Sequence, residues 1–346
     1  MSRARDLADL AGSADAGGLT GKNFIINGAM QLAQRGTVTS VTDGYGGPDR
    51  FKFNRAGACA VTLSKDSDAP TGSGFTASLK VDVTTADSSL AAADSAVILQ
   101  QIEAQNLQRI KKGTSSAESL TLSFWIKSSV TGTYIVELFE HDNNRHINKS
   151  YTISSANTWE FKTITFPGDT TGVIANDNGA GIQVAWWLMA GATYNPDGGT
   201  LQTSWGALNQ TGRAVGQVNA VNSTSNEIYI TGVQLEMGQA ATPFEHEDIS
   251  VTTLKCFRYY EAADSGNTVG FVGNVTAGVN YHIAYKHAVE MNHTPDYTYA
   301  SAAASNFGTS ATFQISGVNG TNLYQAATGT ANGAYYLGYI TADAEL

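Results

Sequence analysis

The sequence predicts an all-β protein, a β-sandwich that follows a short N-terminal arm and precedes a smaller β domain. Three observations carry this. Apolar and polar residues alternate through many short stretches, the period of a strand with one buried face. Turn chemistry separates those stretches at short intervals, as in Pro167-Gly168-Asp169 and the Asn-Pro-Asp-Gly-Gly run at 195–199. Of the 346 residues only 14% are charged while 36 are Gly, a composition that favours strands joined by tight turns over charged amphipathic helices.

Residues 1–21 read as an arm. Leu7 and Leu10 lie on one side of a short helical stretch that is marginal alone, and the Gly-rich run before Lys22 acts as a hinge. These two leucines are the candidates for docking to a larger particle; the other reading is a disordered terminus. From Asn23 onward strands follow one another. The 97–102 stretch fits a strand or the start of a helix, and the strand is favoured, leading into a short polar helix or loop through Ile110. In 120–127, Leu120, Leu122, Phe124 and Ile126 share one face and Trp125 takes the other. Residues 133–139 alternate around Tyr134, Val136 and Leu138, with a turn at 141–145. A strand at 159–166 ends at Pro167. In 182–188, Ile182, Val184, Trp186 and Leu188 face one way, Gln183 and Trp187 the other. The 227–236 strand slips phase near Gly232, which predicts a bulge. The sandwich domain therefore spans 22–248.

After Pro243 comes a junction, with a helical turn within 251–260 before an aromatic strand. Strands at 269–272, 281–286, 311–316 and 334–341 give a C-terminal β domain over 249–346. Its aromatic, Gly-rich strands suggest no large core of their own, which points to association between copies.

The formal net charge is −10, which argues against nucleic acid and anionic membranes as partners. The basic residues Arg109, Lys111 and Lys112 read as a solvated turn. No stretch reaches the roughly 20 apolar residues of a membrane span, and the N-terminus lacks the apolar run of a signal peptide, so synthesis in a cytoplasm without export by that route is expected. Cys59 and Cys256 lie in apolar surroundings and read as buried free thiols, not a disulfide framework.

No nucleotide, hydrolase or zinc motif is present, and no cofactor or metal is expected. His282 and His287, five apart on a strand, face opposite ways. His141 and His146 flank a polar turn and read as solvated. Glu137 and Glu140 are too oddly spaced on one strand to form a glycosidase pair. A non-enzymatic protein is the expectation. The five tryptophans are more informative, because aromatic faces stack on sugar rings as readily as they fill cores. By phase Trp186 belongs to the core and Trp187 to the outer face. Tyr194 and Trp205 bracket a Gly-rich loop containing Asp197, whose carboxylate can accept sugar hydroxyls. Trp187, Tyr194, Asp197 and Trp205 are the carbohydrate-binding candidates.

Several segments together resemble bacteriophage tail-fibre and related virion-surface proteins. They are 22–31 (Lys-Asn-Phe-Ile-Ile-Asn-Gly-Ala-Met-Gln), 34–36 (Gln-Arg-Gly) and 49–51 (Asp-Arg-Phe), then 101–103 (Gln-Ile-Glu) with 120–128. Residues 157–159, 167–172, 230–236 (Ile-Thr-Gly-Val-Gln-Leu-Glu), 241–245 (Ala-Thr-Pro-Phe-Glu) and 256–260 (Cys-Phe-Arg-Tyr-Tyr) continue the resemblance, which covers residues 22–260. It implies a jelly-roll domain like those of carbohydrate-binding modules, attachment to other virion proteins through the arm, a homotrimer, and host surface glycan as the partner. It supplies no catalytic residues. The expected function is that of a tail fibre or receptor-binding protein on the virion. The alternatives are a capsid-attached decoration protein and, third, a polysaccharide depolymerase.

Overall fold

The computed structural model describes residues 21–262 and 268–346; Leu7 and Leu10 lie outside them. The chain divides into two compact units, 1–248 and 249–346. The strands of the first unit are, in chain order, β1 (Val38–Val41), β2 (Asp43–Tyr45), β3 (Lys52–Ala56), β4 (Ala60–Asp66), β5 (Ser78–Thr85), β6 (Ser95–Glu103), β7 (Leu120–Ser128), β8 (Gly132–Glu140), β9 (Arg145–Ile153), β10 (Glu160–Phe166), β11 (Ala180–Ala190), β12 (Gly206–Ala207) and β13 (Glu227–Met237). They form two antiparallel sheets, one of six strands in the order β1-β4-β5-β13-β7-β10 and one of seven in the order β12-β9-β8-β11-β6-β3-β2. This is a jelly-roll β-sandwich. A 3-10 helix, Ala104–Ile110, follows β6, where a short polar helix or loop was expected.

Alternation sets which residues the sheets enclose. Leu122, Phe124 and Ile126 of β7 meet Ile182, Val184, Trp186 and Leu188 of β11 in one continuous core. Trp186 is fully buried, with its ring edge-on to Phe124 at 5.7 Å across the gap between the sheets. Opposite β13 the register slips between Thr231 and Gln234. Gly232 sits in that bulge at φ +60°, where a Cβ would lie 2.6 Å from the Phe75 ring. Cys59 and Cys256 are buried free thiols.

The segments before β1 and after β13 close the domain through buried polar contacts. Asn23 Oδ1 accepts the Leu235 amide at 3.0 Å, and the Asn23 amide donates to Glu245 Oε2 at 2.9 Å. Gln234 Nε2 donates to Glu236 Oε1, and Glu236 accepts both the backbone and the hydroxyl of Thr242. Gly28 passes so close that a Cβ would stand 2.1 Å from the Val233 carbonyl.

Two expectations about charge are corrected. Lys112 is not solvated: its ammonium is buried, 3.3 Å from Glu140 Oε2 and 3.1 Å from Asp169 Oδ2, and it also donates to the Thr171 and Gly172 carbonyls. His146 is likewise buried, on the outer face of the seven-stranded sheet. Local sequence shows a polar turn at both positions and not the layer that folds over it.

The second unit opens with helix α1 (Ile249–Phe257), followed by β14 (Tyr260–Ala262), β15 (Val269–Val275), β16 (Asn280–Lys286), β17 (Asp296–Ser305), β18 (Thr312–Gly317), β19 (Gly320–Ala326) and β20 (Ala331–Asp343). Strand β20 pairs with β14, β15 and β17, while β16, β19 and β18 form a separate sheet. The unit has a core of its own around Phe307, Leu323, Tyr336 and Ile340, contrary to the expectation from its Gly-rich strands. Strands β17 and β19 were missed, because Ser-, Ala- and Asn-rich stretches give little apolar contrast. His282 is exposed, and His287 is buried between Glu261 and Tyr297.

Replacing Trp186 with Ala should destabilise the sandwich by about 3–5 kcal/mol, the range for a large buried aromatic, read as a lowered urea midpoint. Lys112→Met should cost a similar amount, about 3–5 kcal/mol, because it leaves the buried Glu140 carboxylate without its cation, while Asp169 keeps its ion pair with Arg145.

Candidate functional site

The outer face of the seven-stranded sheet is apolar at its centre, which is unusual for a face pointing away from the sandwich core. Register places its residues in rows. Asn54, Val97 and Trp187 are successive cross-strand partners on β3, β6 and β11. Lys52, Leu99, Ala185 and Glu137 make the next row, and Gln101 and Gln183 pair in the third. The segment 191–218, largely without regular structure, folds over part of this face. Val97, Leu99, Ile135, Ala185, Trp187 and Ala214 form a second apolar cluster beneath it, with Tyr194 and Leu201 packed against it.

Backbone and side-chain contacts pin this cover. The Ala214 amide donates to the Tyr194 carbonyl at 3.0 Å, the Val218 amide to the Thr133 carbonyl at 2.9 Å, and Gln217 Oε1 accepts the Ile135 amide at 2.8 Å. Arg213 forms a two-pronged ion pair with Glu137, with Nε 2.9 Å from Oε1 and the terminal nitrogen 2.7 Å from Oε2. His146 Nδ1 lies 3.0 Å from Glu137 Oε1, while its Nε2 accepts the Asn209 amide at 3.1 Å. That acceptance leaves the ring proton on Nδ1, directed at Glu137. Burial alone would raise the Glu137 carboxyl; the His146 hydrogen bond and the Arg213 charge outweigh it and hold the group below its ordinary 4.5.

Beside the cover a cleft of about 410 Å³ remains open. Residues of all three rows line it, among them Asn54, Val97, Leu99, Gln101 and Gln183, together with Trp187, Tyr194 and Arg213. The Trp187 and Tyr194 rings lie 5.4 Å apart, and the Arg213 guanidinium sits 5.1 Å from the Trp187 centroid and 5.8 Å from that of Tyr194. The guanidinium, held by Glu137, thus fixes both rings. Chemically the cleft offers an aromatic edge, amide groups able to donate and accept, and one carboxylate with both oxygens occupied.

Of the four sequence candidates, the structure brings Trp187 and Tyr194 together here. Trp187 lies on the outer face, as its phase predicts, but it is only 2% exposed: the 191–218 cover lies over it. Asp197 is exposed and does not line the cleft. Trp205 packs against the inner core, its Nε1 donating to the Pro167 carbonyl at 2.8 Å and the Lys112 ammonium 5.6 Å from its ring. The sequence reading missed Asn54, Gln101, Gln183, Glu137 and Arg213. The two glutamines were within reach, since they share the outward phase of Trp187. Arg213 was not, because nothing in a loop sequence tells which strand it will meet. The remaining tryptophans stand on the outer face of the other sheet, where Trp125 packs on Phe161 and Trp159 donates to Asp68.

No protein-family model matches the chain, and no curated protein matches it. Among solved structures it is similar to the enzymatically active domain of tailspike protein 4 of bacteriophage CBA120, at 15% identity and a TM-score of 0.36, over 62% of this chain and 21% of that one. The chain thus spans about a fifth of the tailspike chain's length. It is similar to the module TmCBM61, solved with β-1,4-galactotriose, at 10% identity and a TM-score of 0.32, over 63% of this chain and 99% of that one. A family 11 carbohydrate-binding module of a Clostridium thermocellum cellulosomal cellulase matches at 12% identity and a TM-score of 0.29, over 60% and 97% of the two chains.

Arg213→Ala should destabilise the sandwich by about 3 kcal/mol at neutral pH, because it leaves the Glu137 charge buried with His146 alone. The difference from the parent should shrink as pH falls. A depressed carboxyl stabilises the fold above its unfolded value and loses that contribution as pH drops through the folded one. Urea midpoints of both proteins measured from pH 7 down to below 4 check the sign.

Proposed function

We propose that this chain is a glycan-binding attachment protein of a bacteriophage particle, and that the cleft beside Trp187 and Tyr194 is where glycan binds. The observation that supports this most directly is the pairing of a fixed aromatic edge with the Gln101 and Gln183 amides on one open sheet face. A saccharide presents both a C–H face for stacking and hydroxyls for amides. Binding without hydrolysis fits the state of Glu137, the one carboxylate lining the cleft, whose two oxygens are both taken by Arg213 and His146. The virion location, the trimer, and attachment to other virion proteins through 1–21 rest on the resemblance of the sequence to fibre proteins. Exposed Val251 and Leu254, one turn apart on α1, and Phe161, 49% exposed, are apolar surface that association between copies would cover.

Purified protein should bind surface polysaccharide isolated from the host, should adsorb to host cells, and should scatter light as a trimer. Tyr194→Ala should weaken polysaccharide binding about fivefold, since one aromatic contact is worth about 1 kcal/mol, with the circular dichroism of the folded protein retained and a modestly lowered melting temperature from the lost packing on Trp187. Binding that survives in a folded double variant lacking Tyr194 and Gln183 would remove the cleft from the proposal. Absence of any glycan binding would leave the decoration-protein reading.

A further inference from the structure

The cleft is basic in a chain that is strongly acidic overall. Lys52, Arg55 and Arg213 line it against the single carboxylate of Glu137, while the whole chain carries −10. Arg213 and Glu137 neutralise each other, so the surplus rests on Lys52 and Arg55. Lys52 has a loose partner, Asp43 Oδ1 at 3.4 Å, on the exposed edge strand β2. Arg55, next to last in β3, lines the part of the cleft where Ala56 and Ser95 finish the β3–β6 ladder. It is the one arginine among the described residues with no hydrogen bond, ion pair or ring contact. Its Nε is buried without an acceptor. Asp87 and Asp94 of the neighbouring turns act on the same Cys59 thiol as Arg55 does but form no ion pair with that arginine, and each accepts a backbone amide, from Ala58 at 2.8 Å and from Ala91 at 2.7 Å.

A second, independent donor is left over. Trp187 is almost wholly buried, lines the same cleft, and its Nε1 also lacks an acceptor. Buried N–H groups normally find partners, and leaving one unmet costs about 1–3 kcal/mol. Both of these nitrogens are themselves enclosed, so what the cleft offers a ligand is the surplus positive charge of Lys52 and of the Arg55 guanidinium, a site short of negative charge. A neutral sugar supplies hydroxyls, each of which is itself a donor seeking an acceptor. A carboxylate supplies acceptors only, and pairs with guanidinium through two parallel hydrogen bonds.

We propose that the cleft selects an acidic glycan, one whose bound sugar unit carries a carboxylate, with Arg55 as the carboxylate's partner and Tyr194 beside the ring. This rests on the cleft being the glycan site. A polyanion such as nucleic acid is disfavoured, because the net charge of the chain repels a long phosphate backbone.

The test uses the full chain and a panel of acidic oligosaccharides, namely oligogalacturonate, oligoalginate and sialyllactose, each beside its carboxyl-reduced counterpart, with an oligonucleotide as a further probe. Calorimetry at low salt should give at least one acidic member bound about tenfold tighter than its reduced counterpart, the usual worth of a charge-assisted hydrogen bond. Added salt should narrow the gap. Arg55→Gln should abolish it with an unchanged melting temperature, since Arg55 has no partner within the fold to lose. Tyr194→Ala should instead weaken acidic and reduced members alike. Equal or tighter binding of the reduced members overturns the selectivity while glycan binding stands. A gap that persists in the folded Arg55→Gln protein overturns the assignment to Arg55. Binding of the oligonucleotide alone, or of nothing in the panel by folded protein, overturns both the selectivity and the glycan reading.

Discussion

The ion pair of Arg213 with the buried Glu137 is the contact on which the outer face of the seven-stranded sheet depends. Strand β11 is apolar on both sides, with Trp186 turned inward and Ala185 and Trp187 outward. A central strand of this kind needs cover on its outer face, and the 191–218 segment provides it with almost no ladder of its own. Arg213 anchors that segment to the middle of β8, and the anchor works only because Glu137 is charged inside the protein. A lone carboxylate there would not stay ionised; a guanidinium with two parallel hydrogen bonds and an imidazole behind it make the charge tolerable. The cover stops at Tyr194, and the cleft is what it leaves open.

The same device recurs away from the cleft. Lys112 is enclosed by Glu140, Asp169 and two carbonyls, so a cation belonging to the chain itself joins β8 to the turn after β10. At the opening of the domain Gln100 acts as a piece of strand, its amide oxygen and nitrogen pairing with the backbone N–H and C=O of Ile26. Asn23, Gln234, Glu236, Thr242 and Glu245 then bind the two ends of the sandwich together. Three of the segments by which the sequence resembles fibre proteins, 22–31, 230–236 and 241–245, hold these closing residues. In those three the resemblance describes how the domain closes and leaves the ligand unspecified.

The legible part of the structure was whatever a period of two and local turn chemistry determine. The inward phase of Ile182, Val184, Trp186 and Leu188, the bulge at Gly232 and the helix before Tyr260 all follow from neighbours in sequence. The illegible part depends on a second layer. Trp187 has the outward phase of an exposed residue, and only the packing of a loop begun several residues later makes it buried. His146 and Lys112 look solvated for the same reason. Trp205 and Asp197 flank the same loop as Tyr194, yet the loop's path carries one to the inner core and the other to solvent. Phase reports the face of a sheet; it does not report what lies on that face.

Rings fixed in advance have a consequence for affinity. The rings of Trp187 and Tyr194 are held by Arg213 before any ligand arrives, so little side-chain freedom remains to be lost on binding. With a glycan as ligand, as proposed, the gain per site would still be small, because one half-buried tyrosine edge and a few amides would exchange contacts with water for similar contacts with sugar. A single cleft of this size therefore suits weak, reversible contact with a repeating surface polymer. Firm attachment would come from several copies engaging one surface at once, where linkage raises effective concentration without any new contact. Rigidity matters more in that setting than tight binding at one site, since copies that hold one geometry can meet a repeating polymer together.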